Sequence, residues 1–195
     1  MSVSNASLSS SYQRLAPFYD VFVKRVFEKQ RSRAIASLEL SPGRLVLVSG
    51  AGTGLDLPHL PEGVVAVAVD LSPAMLAAAR PRLRAGLLVV GDAQRLPFRD
   101  AAFDAGLLHL VLAIVPDGRL AFVEALRVCR PRARLSVFDK FLKGAPSLAR
   151  RAADALLRPF VTGFLTRFED LLPANARVVS DRGGLFRRIV VEKSA

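Results

Sequence analysis

The chain has 195 residues and a mass of 21.1 kDa, enough for one domain and too little for two of ordinary size. With 51% hydrophobic and 23% charged residues it is not a disordered chain, and a lone cysteine (Cys129) with two histidines excludes a disulfide scaffold and an ordinary structural zinc site. The net charge of +11 comes without zinc-finger spacing, a lysine-rich tail or the aromatic ladder of RNA-binding sheets.

Residues 1–11, MSVSNASLSSS, read as a serine-rich disordered tail with no cationic start leading into an apolar run, so no export leader and a cytoplasmic compartment are expected. No uninterrupted apolar stretch reaches about 18 residues, so no transmembrane helix is expected either. Residues 12–40 carry a helical pattern. Phe18, Phe22, Val26 and Phe27 fall on one side, and Lys24, Arg25, Lys29 and Arg31 are placed to face water. Ser41-Pro42-Gly43 ends this segment, which forms an N-terminal helical cap over residues 12–42.

Short apolar runs then alternate with helical patterns. Strands are predicted at 44–49, 64–70, 87–90, 103–108 and 134–139. Helices are predicted at 73–84, with Ser72 as cap and Pro73 at its first position, and at 119–128. Pro81 should kink or end the first of these. Further helices are predicted at 147–158 and 165–172. Residues 178–180 and 186–192 form a closing strand pair about an Arg182-Gly183-Gly184 turn. The pattern describes a single α/β domain over 12–195: a doubly wound, mostly parallel seven-stranded sheet.

Gly50-Ala51-Gly52-Thr53-Gly54 directly follows the first strand, and Asp70 lies 20 positions past Gly50 at the end of the second. Glycines there permit a tight turn and a close backbone approach to a ligand, and the carboxylate is placed to accept both hydroxyls of an adenosine ribose. A dinucleotide loop would have its third glycine at position 55, where this chain has Leu55, and no Walker lysine is present. The GxGxG spacing suits an adenosine ligand without phosphates, such as S-adenosylmethionine.

In their order and spacing, VLVSGAGTG, VAVDLSPAML, VVGDAQRLPF and AAFDAGLLHLVLAIVPD resemble the successive motifs of class I S-adenosylmethionine-dependent methyltransferases with a Rossmann-like fold. The nearest subgroup is that of ubiquinone/menaquinone-biosynthesis-like and phospholipid N-methyltransferase-like enzymes, whose helical cap YQRLAPFYDVF also resembles. The resemblance implies that Gly50, Ala51, Gly52 and Gly54 wrap the methionine part of the cofactor. Asp70 would hold the ribose, Leu71 and Met75 would line the adenine, and Asp92 and Ala93 would meet its edge. Leu108 and His109 would lie at the reactive side, and Tyr19 and Asp20 would close over it from the cap. The family often has an acidic residue two places before the first glycine; this chain has Val48 there.

Several residues carry two readings. Asp92 is an adenine partner or a loop carboxylate capping its own backbone. His109 is a substrate-orienting group or general base, as Tyr19 would also be in the catalytic set, or it is a satisfied core histidine. His59 reads as a surface residue, and Asp104 as a structural carboxylate bonded to backbone. Residues 127–195 carry 15 Lys and Arg against 6 Asp and Glu, which reads as a solvated basic face or as peripheral contact with an anionic membrane. The expected reaction is methylation of a small-molecule or lipid-like acceptor, without a metal. Methylation of nucleic acid or protein, and a non-catalytic adenosine-binding role, are the alternatives; nucleic acid is the less favoured partner.

Overall fold

A computed structural model describes residues 27–141 and 167–195. The predicted apolar runs become strands β1 (Leu45–Ser49), β2 (Val65–Asp70), β3 (Gly86–Val90), β4 (Phe103–His109) and β5 (Cys129–Lys140). The closing pair becomes β6 (Ala176–Gly183) and β7 (Phe186–Lys193). All seven form one sheet in the order β3-β2-β1-β4-β5-β7-β6. The first five strands are mutually parallel, and β7 runs antiparallel to both of its neighbours.

Alternation along the strands divides the core in two. Val46, Val48, Ala66 and Ala68 face one side. There they pack with Ile35 and Leu38, contributed by and just beyond α1 (residues 27–36), and with Ala79 of α2 (Pro73–Ala79). Leu47, Val67 and Val69 face the other side, against Phe122, Ala125 and Leu126 of α3 (Gly118–Val128) and Phe168 of α4 (Phe168–Leu171). The doubly wound sheet inferred from the sequence is the observed architecture.

Among the boundaries that moved, three did so for a clear local reason. The helix expected over 73–84 has its Ser72 cap, whose Oγ accepts the Met75 N–H at 3.3 Å. It ends at Ala79, because Pro81 has no N–H for the next helical bond, and Arg80–Arg82 tighten into a 3-10 turn. Strand β5 begins at Cys129 rather than 134. Cys129 pairs with Phe103, and the ladder shifts register before Ala105 meets Arg134, with Arg132 taking φ +61° in between. His109 is the last residue of β4, paired with Phe138, rather than the first residue beyond it. The predicted helix at 147–158, and the cap residues before 27, lie outside the described residues. Among the described residues no helix is long and apolar enough to cross a membrane.

Candidate functional site

The carboxyl ends of β1, β2 and β4 open onto one cavity, where ligands of open parallel sheets bind. Gly50–Thr53 follow β1, Asp70–Ser72 follow β2, Gly91–Ala93 follow β3, and His109–Val111 end and follow β4; all of them line it. The loop after β1 is fixed by a close approach. Gly50 has φ +68°, and a Cβ there would overlap the Val111 side chain, reaching 2.7 Å from its Cβ.

Asp70 anchors the loop. Its Oδ2 accepts the Gly52 N–H at 2.7 Å and its Oδ1 the Ser72 N–H at 2.9 Å. Burial raises its pKa above the ordinary carboxylate value, while N–H bonds from Ser72, Gly52 and Leu71 pull the other way. These donors position the carboxylate without exhausting its acceptor sites.

Of the other residues singled out in the sequence, Ala51, Leu71, Met75, Asp92 and Ala93 share this wall. Asp92 accepts the Gln94 N–H at 2.8 Å, so the turn-capping role is present at the residue that also faces the cavity. Gly54 is behind the wall rather than in it: a Cβ there would lie 2.8 Å from Ala79 Cβ and 2.9 Å from Leu57 Cδ1, so this glycine seats the loop on α2. Leu108 turns into the core and is fully buried, because alternation along β4 sends it away from the cavity that His109 reaches. Tyr19 and Asp20 lie outside the described residues. His59 is half-buried in a 3-10 turn. Asp104 accepts the Leu45 N–H at 2.9 Å and pairs with Arg44 and Arg130.

His109 has a sharper setting than the sequence suggested. Its side chain has no exposed surface; Nδ1 meets Asp56 Oδ1 at 2.8 Å and Nε2 meets Ser136 Oγ at 3.0 Å. Ser136 Oγ in turn lies 3.1 Å from the Ala34 carbonyl it donates to. Both ring nitrogens are engaged, so a proton-accepting role would first require breaking one of these bonds. Asp56 is also bonded by Arg31, Nη1 to Oδ1 at 2.9 Å. Burial alone would push Asp56 up, but His109 and Arg31 outweigh it and hold the carboxyl well below its ordinary range. Arg31, expected to face water, is only 6% exposed. It stands four residues after Phe27 and four before Ile35, on the helix face that meets the sheet.

Two residues that brace this site gave no sequence motif. Asp56 follows the glycine loop between Leu55 and Leu57; an acid inside an apolar run was its signal. Asp139 sits at the end of β5, 2% exposed, with Oδ2 accepting the Ala113 N–H at 3.1 Å and Oδ1 the Lys140 N–H at 2.8 Å. It thereby clamps the turn after β4, where Leu110 takes φ +58° and Val111 lines the cavity. Burial pushes the Asp139 carboxyl up to about 6.

Residues 47–137 match the family model described as "Methyltransferase domain". The chain is 33% identical over 172 residues to a phosphatidylethanolamine N-methyltransferase of Cereibacter sphaeroides, covering 85% of this chain and 79% of that protein. It is 34% identical over 170 residues to a demethylmenaquinone methyltransferase of Mycobacterium sp. strain KMS, covering 82% and 71%. A demethylmenaquinone methyltransferase of Corynebacterium efficiens is 36% identical over 151 residues, and there the chain spans 60% of the relative's length. Among solved structures, the [4+2]-cyclase SpnF superposes with a TM-score of 0.82 at 14% identity, over 100% of this chain and 98% of that one. A possible histamine N-methyltransferase of Thermotoga maritima gives 0.69 at 24%, over 94% and 98%. These two establish the fold only, since a cyclase and a methyltransferase share it.

Proposed function

Since the chain belongs to the class I S-adenosylmethionine-dependent methyltransferases, a family with S-adenosylmethionine as cofactor, we propose that it transfers the cofactor's methyl group to a lipid-like small molecule by direct in-line displacement. The observation that carries this reading is the cavity at the carboxyl ends of β1, β2 and β4, with the glycine loop, the half-buried Asp70 carboxylate and an apolar wall around one space.

The residues present fit the cofactor. Asp70 keeps acceptor capacity for two vicinal hydroxyls beyond its backbone bonds. Leu71 and Met75 offer apolar surface to a flat purine, and Asp92 and Ala93 stand at its edge. At Gly52 nothing lies within 4 Å of where a Cβ would be, which leaves the backbone open to close approach. The cofactor would supply an electrophilic methyl carbon on a sulfonium, with a neutral thioether as the leaving group for the acceptor's lone pair to displace.

The chain's own work is alignment and exclusion of water. Asp70 and the loop fix the cofactor's orientation, and Val111, Ile114 and Val115 form an apolar side that keeps solvent from the reacting atoms. An amine acceptor must be neutral before it attacks, and desolvation against that side favours the neutral form. His109, with both nitrogens held, acts here as a positioning residue that ties the end of β4 to Asp56 and Ser136 rather than as the base.

A lipid-like acceptor is supported by the Cereibacter relative, by the apolar wall, and by the basic residues 127–195, which suit peripheral contact with an anionic membrane. The test is methyl transfer from labelled cofactor into phosphatidylethanolamine vesicles and, in parallel, into demethylated quinone precursors, with vesicle co-sedimentation alongside. Label in the phospholipid amine is the expected result. Label only in the quinone ring would move the acceptor to the other class, and label only in protein or nucleic acid would overturn the proposal.

A further inference from the structure

Among the described residues lining the cavity, Arg31 is the one with a permanent positive charge. We propose that Arg31 receives the carboxylate at the methionine end of the cofactor and that Asp56 holds it there; the proposal rests on the cofactor reading above. Three observations support it.

The first is unspent hydrogen-bonding capacity. Arg31 is 6% exposed, yet only its Nη1 is bonded, to Asp56 at 2.9 Å, and its Nε is buried with no partner. A guanidinium carries five N–H donors, and buried donors without partners are costly unless something enters to accept from them. An acceptor oriented toward both edges of the fork, as a carboxylate is, meets that need bidentately.

The second is rigidity on the protein side. Asp56 Oδ1 takes Arg31 and His109 together, and His109 is braced from behind by Ser136, whose hydroxyl bonds the Ala34 carbonyl of the helix that carries Arg31. The guanidinium is therefore preorganised by a closed ring of contacts joining α1, Asp56 just beyond the glycine loop, β4 and β5. The third is the placement of charge. Asp70 takes the ribose end in this reading, whereas Arg31 shares the cavity with Gly50–Thr53, which face the methionine part. The cofactor has one anionic group, and the wall has one guanidinium. Val48 occupies the strand position where an acid would otherwise engage this end, so the polar contact here comes from Arg31 instead, with Asp56 behind it.

Calorimetric titration of the full chain with S-adenosylhomocysteine and with 5′-deoxy-5′-methylthioadenosine separates the possibilities, because the second ligand keeps the adenosine and the thioether but has no carboxylate. Arg31→Met is expected to lower S-adenosylhomocysteine affinity by about 10- to 100-fold and to leave methylthioadenosine affinity within about twofold of wild type. The second ligand thus reports on folding of the variant. If Arg31→Met does not fold, Arg31→Lys is read in the same way, with a smaller but still ligand-selective loss. Equal losses for both ligands, or none for either, would overturn the assignment; the latter would place the arginine's anion on the acceptor. A wild-type chain that bound neither ligand would overturn the cofactor reading itself.

Discussion

Replacing Gly50 and Gly52 one at a time by alanine separates the two tasks of the glycine loop. Both residues have left-handed backbone angles, φ +68° and +53°. Each substitution therefore carries a similar backbone cost, roughly 1–2 kcal/mol. The space around them differs. An alanine methyl at 50 overlaps Val111, 2.7 Å from its Cβ, and overpacking of that kind adds about 1–3 kcal/mol. A methyl at 52 meets nothing within 4 Å and sits on a residue that lines the cavity. Gly50→Ala should thus be less stable than Gly52→Ala by about 1–3 kcal/mol in urea denaturation followed by circular dichroism. In binding, Gly52→Ala should lose more than about 10-fold in S-adenosylhomocysteine affinity, about 1.4 kcal/mol, while remaining the more stable of the two. Equal stabilities, or wild-type affinity in Gly52→Ala, would refute the reasoning.

Asp70→Asn must oppose an amide N–H to one of the two backbone N–H groups that the carboxylate now accepts, and it removes an acceptor oxygen from the group proposed to hold the ribose. Its cofactor affinity should fall by about 10- to 100-fold, and calorimetry showing no change would reject the ribose assignment. His109→Ala strips Asp56 of one of its two cationic or N–H partners inside the core. A loss of about 3–5 kcal/mol in unfolding free energy is expected, and a cost under about 1 kcal/mol would contradict the cluster's role. Asp139 gives a pH signature. Its folded pKa of about 6 lies above its ordinary 3.8, so the folded state holds the proton longer than the unfolded chain does. Relative to Asp139→Asn, the wild type should be favoured most below pH 4 and lose about 3 kcal/mol of that advantage as pH rises through 6. A difference between the two proteins that did not vary from pH 4 to 7 would show that the Asp139 carboxyl is not perturbed.

The sheet was legible because the inner parallel strands β1, β2 and β4 are buried on both faces and so read as apolar runs, and because Pro42, Pro73 and Pro81 punctuate the helices. The glycine loop and Asp70 were legible because a tight turn and a carboxylate at fixed spacing leave a local trace. The Arg31–Asp56–His109–Ser136 cluster left none. Its members are 25, 53 and 27 positions apart along the chain and meet only when α1 packs on the sheet. Charge alone argued that Arg31 belonged in water. Helical spacing from Phe27 to Ile35 argued the opposite, and the buried partner Asp56 let spacing prevail. Leu108 and His109 show how fine the distinction is. Neighbours on one strand point to opposite faces, so an assignment made to the strand end puts one in the core and one at the cavity. The early start of β5 was hidden by Arg130-Pro131-Arg132, which reads as a loop; the register shift opposite Phe103 accommodates it.

The most direct test of the central claim is titration of the purified wild-type chain with S-adenosylhomocysteine in a calorimeter, with NADH as the comparison ligand. The cavity formed by the glycine loop and Asp70 predicts saturable binding at one site for S-adenosylhomocysteine and none for NADH. Binding of NADH in its place, or of neither ligand, would contradict it.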